Sequence, residues 1–475
     1  MNAVELKNVT FSYDGIKDVL KNVNFRADYG EVALVAGHSG EGKSTLLSII
    51  SGIIPNVDYG DLNGRVLIGG EDMRGKKIGH ICRRIGVVLQ NADEQIVQKL
   101  VEDEIAFGCE NLAFAPEKIQ KQIEIVCKLM KLDPSWKTRA LSGGQKQRLV
   151  TASTLAMGQK IIILDEPLAN LDREGAATLM ETLRSLAKAG YCAIVVEHRL
   201  DTVLPYADKV WHIERENVSE VENKRIYLKE QTKKIEDGRR FFEPRKPLLK
   251  LQNVAFAIKN KEILKDITFE IPKGGRTVLL GENGCGKTTL LRLIARLYKP
   301  TKGTITQYID EKLKQRPRGG KAWFRKVGVV YQNPDYQLFM PTVRQEIAFG
   351  ASSPEYAERI SELFGIKRLA DRHPQSLSEG QKRRVSIAAV AACAPELLLL
   401  DEPTVGQDYA GLCELVDILN KLHEETGNTM ITVTHDVRCA EALCDRAVWI
   451  ENGIAAKQGG KELAREYFFG QTQAD

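Results

Sequence analysis

Two glycine-rich strings in this chain have the composition needed to grip a phosphate. GHSGEGKST runs from Gly37 to Thr45, and GENGCGKTT runs from Gly281 to Thr289. Glycines let successive backbone N–H groups converge on one phosphate, and a helix opening directly behind the loop adds the positive end of its dipole. Gly37, Gly40 and Gly42 shape the first loop; Gly281, Gly284 and Gly286 shape the second. Lys43 and Lys287 then stand where a cation meets β- and γ-phosphates. Behind them come Ser44 and Thr45, and Thr288 and Thr289, with the Ser44 and Thr288 hydroxyls suited to Mg2+. Further on, IIILDEP and LLLLDEP are apolar runs that end in two carboxylates, Asp165–Glu166 and Asp401–Glu402. A buried strand that delivers charge only at its tip spends desolvation for a purpose. Asp165 and Asp401 are expected to hold Mg2+ through water, and Glu166 and Glu402 to polarise an attacking water. The chemistry is hydrolysis of a nucleoside triphosphate, written twice.

The elements that must position these residues are also written twice. VELKNVTFSYDGIKDVLKNVNFRADYGEVALVAG aligns with LLKLQNVAFAIKNKEILKDITFEIPKGGRTVLLG. Each reads as a hairpin of two alternating strands followed by an apolar strand into the glycine loop. An apolar helix follows each loop, TLLSIISGII and TLLRLIARLY, closed by Pro55 and Pro300. LSGGQ at Leu141–Gln145 returns as LSEGQ at Leu377–Gln381. Lys43 and Lys287 are 244 residues apart, whereas Ser142 and Ser378, like Asp165 and Asp401, are 236 apart. Insertions therefore fall early in one half, and the basic run LKQRPRGGKAWFRK (313–326) reads as a solvated loop. KIQKQIEIVCKLMKL and EYAERISELFGI carry apolar residues at helical spacing, which predicts a small helical lobe in each half.

Size and charge bound the rest. The 475 residues divide into domain 1 (1–220), a charged linker (221–246) and domain 2 (247–475). The net charge of +5 does not argue for a nucleic-acid partner, because no single basic stripe dominates. Nine scattered cysteines without a CxxC pair read as reduced thiols, with neither zinc site nor disulfide framework. No apolar stretch reaches the roughly 18–20 residues needed to cross a bilayer, and the N-terminus reads as a strand and not as a signal peptide.

The ordered set of loop, LSGGQ-type string and DEP carboxylates resembles the tandem ATP-binding cassette proteins. That resemblance implies an α/β fold of two tandem P-loop cassettes. Each would have a nucleotide-binding α/β core, an antiparallel β subdomain and an inserted helical signature subdomain. It also implies two head-to-tail composite sites binding ATP and Mg2+. One would join Lys43, Ser44, Asp165, Glu166, Gln90 and His198 to Ser378, Gly380 and Gln381. The other would join Lys287, Thr288, Asp401, Glu402, Gln332 and His435 to Ser142, Gly144 and Gln145. In such sites Gln90 and Gln332 also face the metal. His198 and His435, ending the apolar runs IVVEH and ITVTH, contact γ-phosphate and orient the water. Ser142 and Ser378 open helices whose dipoles favour the same phosphate. Asp172 and Asp408, in ANLD and VGQD, resemble the segment that couples the two sites. Tyr13 matches the family's adenine-stacking aromatic. Its counterpart is Ile258, with Phe256 as a nearby substitute, so the second loop is expected to hold nucleotide more weakly. Gly143 is replaced by Glu379 in the second signature, yet both catalytic pairs are retained, which predicts two hydrolytic sites.

The segments after Gln90 and Gln332, VLQNADEQIVQKLVEDEIAFG and VYQNPDYQLFMPTVRQEIAFG, resemble the energy-coupling factor transporters, as does VVEHRLD at 195–201. That likeness implies import of a vitamin or transition-metal ion from the cytoplasmic face of the membrane, as a peripheral protein. Its partners would be a transmembrane scaffold protein and a small membrane substrate-binding subunit, with no nucleic acid, and the cassettes would pair within one chain. Ile96, Val97, Leu338, Phe339 and Met340 would form grooves for amphipathic helices. The alternative is a soluble tandem-cassette ATPase acting on ribosomes or another non-membrane target. Such proteins carry a longer charged linker than this chain. A DNA-repair cassette would show zinc cysteines, and a fused sugar importer would have a degenerate second loop.

Overall fold

The computed structural model describes residues 2–38, 40–169, 171, 173–231, 246–259, 261–309, 312–314 and 321–469. Asp172 lies outside them. The chain forms two compact units, Met1–Lys233 and Lys234–Asp475. Each is an α/β unit of the same design, with a mixed sheet core and an inserted helical lobe.

In the first unit, Asn2–Ser12 pairs antiparallel with both Asp18–Asp28 and Asp61–Ile68, and Glu71–Asp72 completes this four-stranded sheet. The alternating apolar residues seen in the sequence, such as Val4, Leu6, Val9 and Phe11, are buried on its inner face. A second sheet runs in the order Asn217–Glu220, Lys209–Glu214, Val32–Gly37, Cys192–Val196, Ile161–Asp165, Ile85–Val88. Its pairings are parallel except for the edge strand Asn217–Glu220. Helices cover both faces, so its strands are near-continuous apolar runs instead of alternating ones. Ile161, Ile162, Ile163 and Leu164 are all at most 1% exposed. Each such side chain contributes about 1.5–3 kcal/mol relative to an exposed one.

The second unit repeats the order: Ile454–Gly459, Arg446–Glu451, Arg276–Leu280, Thr429–Val433, Leu397–Asp401, Val327–Val330. Here one pairing, Asp266 with Ile454, joins the hairpin sheet to the parallel one in a single ten-stranded sheet. The helical lobes contain Val101–Asn111, Pro116–Met130 and Gly143–Ala156 in the first unit. Val343–Ala348, Pro354–Leu363 and Glu379–Ala392 form the second lobe. In the first lobe Ile105, Val126, Met130 and Leu149 belong to one core that continues under the sheet through Ile162 and Leu164. The lobe is therefore seated on the sheet by apolar packing.

The structure differs from the sequence reading in three places. The first loop helix, Lys43–Ser51, ends at Gly52 in a left-handed cap at φ 77°, before Pro55 is reached, and the second, Lys287–Ile294, ends at Ala295, before Pro300. The segment assigned to a linker from residue 221 contains a helix, Lys224–Gln231, whose Tyr227 is buried in the first core. Tyr227 also holds the neighbouring strand, its hydroxyl 2.8 Å from His212 Nδ1. Finally, the basic run 313–326 is not all solvated loop. Trp323 is 4% exposed, donates from Nε1 to the Ala295 carbonyl at 3.2 Å and lies under the Arg296 guanidinium.

Candidate functional site

Parallel pairing brings the chemistry to one edge. In the first unit Val35 and Asp165 both pair with Val196, so three adjacent strands end together. Their tips carry the loop from Gly37, the pair Asp165–Glu166 and the run Glu197–His198. This is the carboxyl edge of the sheet, where α/β folds bind ligands. In the second unit Leu279 and Asp401 both pair with Val433, which gives the same convergence.

Both loops need glycine at their first position. Gly37 has φ 154° and Gly281 has φ 148°, and a Cβ there would lie 2.5 Å from the Ile213 carbonyl oxygen and 2.4 Å from that of Ile450. Lys43 Nζ donates to the carbonyls of Gly37 at 3.0 Å and His38 at 2.8 Å. Lys287 Nζ does the same to Gly281 at 2.6 Å and Glu282 at 2.9 Å. Each lysine thus lies folded along its own loop, its ammonium against two of the loop's carbonyl oxygens. Gly40, Gly42, Gly284 and Gly286 complete the two turns at positive φ.

The carboxylate pairs are electrostatically loaded. Asp165 is pushed up to about 6, first by burial and then by the adjacent Glu166. Asp401 is likewise pushed up to about 6, by burial and then by Glu402. Glu166 and Glu402 adopt left-handed backbones at φ 44° and 50°. Such conformations strain a residue with a Cβ and collect at functional sites. Each is braced by its backbone N–H on the neighbouring strand, at Val196 (3.0 Å) and Val433 (2.9 Å).

Around the glutamates the two units differ. Gln90 Nε2 donates to Glu166 Oε2 at 2.7 Å, and His198 Nε2 lies 3.1 Å from Glu166 Oε1. In the second unit His435 reaches Glu402 twice, from its backbone N–H at 3.1 Å and from Nε2 at 3.3 Å. His435 Nε2 also lies 3.0 Å from Asn283 Oδ1 in the phosphate loop. Gln332 is exposed on the corresponding loop.

Sequence reasoning missed the residue behind the first histidine. Glu197 is buried and accepts from the backbone N–H groups of Leu168 (2.7 Å), His198 (2.9 Å) and Arg199 (3.2 Å). Burial, then the Glu166 charge, pushes its pKa upward. Arg199 clamps the same turn by donating to the Leu168 and Leu171 carbonyls. A charged residue inside the apolar run IVVEH was the available signal. The second unit uses a hydroxyl instead, with Thr434 Oγ1 3.3 Å from Thr404 Oγ1 and accepting from Asp436 N–H at 3.1 Å.

Ser142 and Ser378 sit on the lobes as helix caps. Ser142 Oγ accepts from Gln145 N–H while Gln145 Oε1 accepts from Ser142 N–H, and Ser378 with Gln381 repeats the pattern. These are capping boxes, so the two glutamine side chains serve the helix start. A Cβ on Gly144 would lie 2.9 Å from Leu171, and one on Gly380 would lie 3.1 Å from the Gln407 amide. Glu379 is exposed and pairs with Lys382, so it enters without disturbing the fold. Tyr13 is 52% exposed, with its hydroxyl 3.1 Å from Thr45 Oγ1 and its ring edge-on to Phe11. Ile258 offers no ring, and Phe256 is stacked on Tyr298 at 5.2 Å, so it is engaged elsewhere. Of the apolar residues after the glutamines, Val97 and Phe339 are exposed, whereas Leu338 packs into the lobe core.

The donor chemistry fits Mg2+. Thr288 Oγ1 donates to Asp401 Oδ1 at 3.2 Å, which puts a hydroxyl and a carboxylate within reach of one hard cation. Among the described residues no group of three or more His, Cys, Asp or Glu forms a metal site. A cation shared with phosphate and water does not require one.

This fold, with a phosphate loop and carboxylate pair in each unit, defines a tandem nucleotide-hydrolysing protein. The ABC transporter family profile matches residues 20–169 and 264–405, and the chain belongs to that family, with its ATP-hydrolysing domain present twice. It is 30% identical to a Methanosarcina mazei protein provisionally named an ABC transporter ATP-binding protein, over 99% of this chain and 91% of the relative. It is 31% identical to a Bacillus subtilis protein provisionally named HMP/thiamine import ATP-binding protein YkoD, over 95% of this chain and 90% of that one. Among solved structures, it shares its fold with ABCE1 from ribosome-bound archaeal Pelota and ABCE1. The TM-score is 0.71 at 22% identity, covering 94% of this chain and 78% of that one. The archaeal ribosome recycling factor aABCE1, in complex with ribosomal stalk protein aP1, matches with a TM-score of 0.65 at 22% identity, over 94% and 89%.

These matches correct the partner expectation. The named complexes are with ribosomal components, so a transmembrane scaffold protein, a membrane substrate-binding subunit and the exclusion of nucleic acid are not carried forward. Among the described residues no helix is long and apolar enough to cross a membrane.

Proposed function

We propose that the chain is a two-stroke ATP motor in which both units hydrolyse. The observation that carries this reading is the matched pair of strained, hydrogen-bonded glutamates, Glu166 and Glu402, each beside a buried aspartate and a histidine. Lys43 and Lys287 would leave their loop carbonyls to meet the phosphates of ATP. Mg2+, held by Ser44, Asp165 and Gln90 or by Thr288, Asp401 and Gln332, would supply charge neutralisation at the β- and γ-phosphates. Gln90 donates from Nε2 to Glu166, which leaves its amide oxygen for this task. Glu166 and Glu402 would orient and deprotonate water, with His198 and His435 donating from Nε2. Each ATP would be completed by the other cassette's Ser142, Gly144 and Gln145 or Ser378, Gly380 and Gln381. Closing and opening then follow the presence of γ-phosphate.

For the load, action on ribosomes or another non-membrane target rests on the full-length fold matches, whose complexes contain ribosomal components. Uptake of a small solute at the cytoplasmic membrane face is the second reading, favoured by 31% identity to an import ATP-binding protein along almost the whole chain. The test is sedimentation of the Glu166→Gln, Glu402→Gln protein with ATP through a sucrose gradient. ATP-dependent migration with ribosomes supports the first reading. ATP-dependent recovery with membrane vesicles and none with ribosomes supports the second. Retained ATP turnover in this double variant sinks the roles given to the glutamates.

A further inference from the structure

The two catalytic corners hold their histidines differently. In the first, His198 Nε2 and the Gln90 amide share Glu166, at 3.1 and 2.7 Å. In the second, His435 Nε2 faces two acceptors at once, Asn283 Oδ1 at 3.0 Å and Glu402 Oε1 at 3.3 Å. An amide oxygen and a carboxylate oxygen both accept, so these two contacts favour a hydrogen on Nε2. A fixed Nε2–H tautomer is what a histidine needs to donate toward a phosphate oxygen or a water. Asn283 lies between Gly281 and Gly284, inside the loop that wraps the phosphates. The hydrogen bond with Asn283 therefore links that loop to the His435 ring. Its sequence counterpart in the first loop, Ser39, lies outside the described residues.

We propose that Asn283 is a positioning residue for the second catalytic corner: it sets the tautomer and place of His435 and ties both to the state of the phosphate loop. The proposal rests on the reading that the second unit hydrolyses. It makes His435 responsive to its own loop.

The test uses the full chain with Glu166→Gln, so that turnover reports the second corner. Adding Asn283→Ala is expected to lower kcat about tenfold, the worth of one hydrogen bond, with KM for ATP within about twofold. Asn283→Ser, which keeps an acceptor of shorter reach, should recover part of the loss. Selective 15N-histidine NMR supplies a readout that does not depend on turnover. Nucleotide-free wild type should show His435, assigned by a His435→Gln control, as the Nε2–H tautomer, and Asn283→Ala should weaken that preference, leaving Glu402 as the other acceptor. A raised KM with unchanged kcat would make Asn283 a phosphate ligand and overturn the proposal, as would an unaltered His435 tautomer. If Glu166→Gln alone has no turnover, the second corner does not hydrolyse independently of the first, and the NMR comparison still decides the role of Asn283.

Discussion

In the first unit, Glu166 is gripped by Gln90 from one loop and His198 from another, and the turn behind His198 is stapled by the buried carboxylate of Glu197. In the second, Glu402 takes both the backbone N–H and the ring of His435, the staple is a pair of threonine hydroxyls, and the phosphate loop itself reaches the histidine. The backbone that carries the two glutamates is nonetheless the same, left-handed in each. Duplication has preserved the strained position and let its braces diverge. Chemistry tied to the backbone resists drift because only that φ/ψ presents the carboxylate, whereas a brace can be rebuilt from any donor that reaches.

The largest expected effect tests whether the corners are equivalent. Glu166→Gln with Glu402→Gln should lower ATP turnover by about 100- to 10,000-fold, the range for a lost general base. If the corners act independently, each single variant keeps roughly half of the wild-type rate. Phosphate release at saturating ATP measures all three. A single variant as inactive as the double would show that the two corners fire only together.

The aspartates should respond alike, because burial and a neighbouring glutamate load both. Each is raised from 3.8 to about 6, so the folded protein binds more protons than the unfolded chain between those values. Nucleotide-free stability is therefore penalised above pH 6 and recovers as pH falls through 6 toward 4. The penalty is about 3 kcal/mol per aspartate at pH 7.5. Asp165→Asn and Asp401→Asn should each stabilise the nucleotide-free protein by about that amount at pH 7.5 and by nothing near pH 4, while losing Mg2+-dependent hydrolysis. Urea unfolding at the two pH values checks this, and unequal shifts would break the symmetry.

Adenine contacts should be unequal. Tyr13→Ala removes an exposed ring and should weaken nucleotide at the first loop by about 1–3 kcal/mol, the usual worth of base stacking. Ile258→Ala should cost the second loop less, and Ile258→Tyr should tighten it. Fluorescent-ATP titrations of chains with one loop disabled by Lys43→Ala or Lys287→Ala separate the two. Equal affinities would remove the asymmetry at the base and confine it to the histidines.

Much of this was legible in the chain. Glycine loops, apolar runs ending in DEP and the hairpins with period two are local patterns, and local patterns survive translation into structure. The serines that open the lobe helices were legible too, and the structure adds that Gln145 and Gln381 close capping boxes with them. What escaped depends on distant neighbours. The left-handed φ of Glu166 is set by strand pairing to Val196, and Glu197 becomes a staple only where Leu168 turns back toward it. Trp323 hides inside a basic run because the Ala295 carbonyl accepts from its indole and the Arg296 guanidinium covers its ring. Tyr227 gave the supposed linker an anchor that composition does not reveal.

The smallest expected effect concerns Gly143 and Glu379, the one divergence inside the paired signatures. Both occupy the first turn of the lobe helix, and both are exposed. Glycine there costs helix stability relative to glutamate, and a carboxylate at a helix N-terminus gains from the dipole. The Lys382 contact adds little, since an exposed pair is screened by water and salt. Glu379→Gly should therefore destabilise the second unit by about 1 kcal/mol, and Gly143→Glu should stabilise the first by a similar amount. The same negative charge opposes an incoming phosphate, so Gly143→Glu should also weaken ATP-driven closure slightly, more at low salt than at high. Stability without any change in nucleotide response would mean that the first turn of this helix never approaches the phosphate. A reciprocal exchange of stability for closure would show that the first signature has kept its glycine for the sake of the anion.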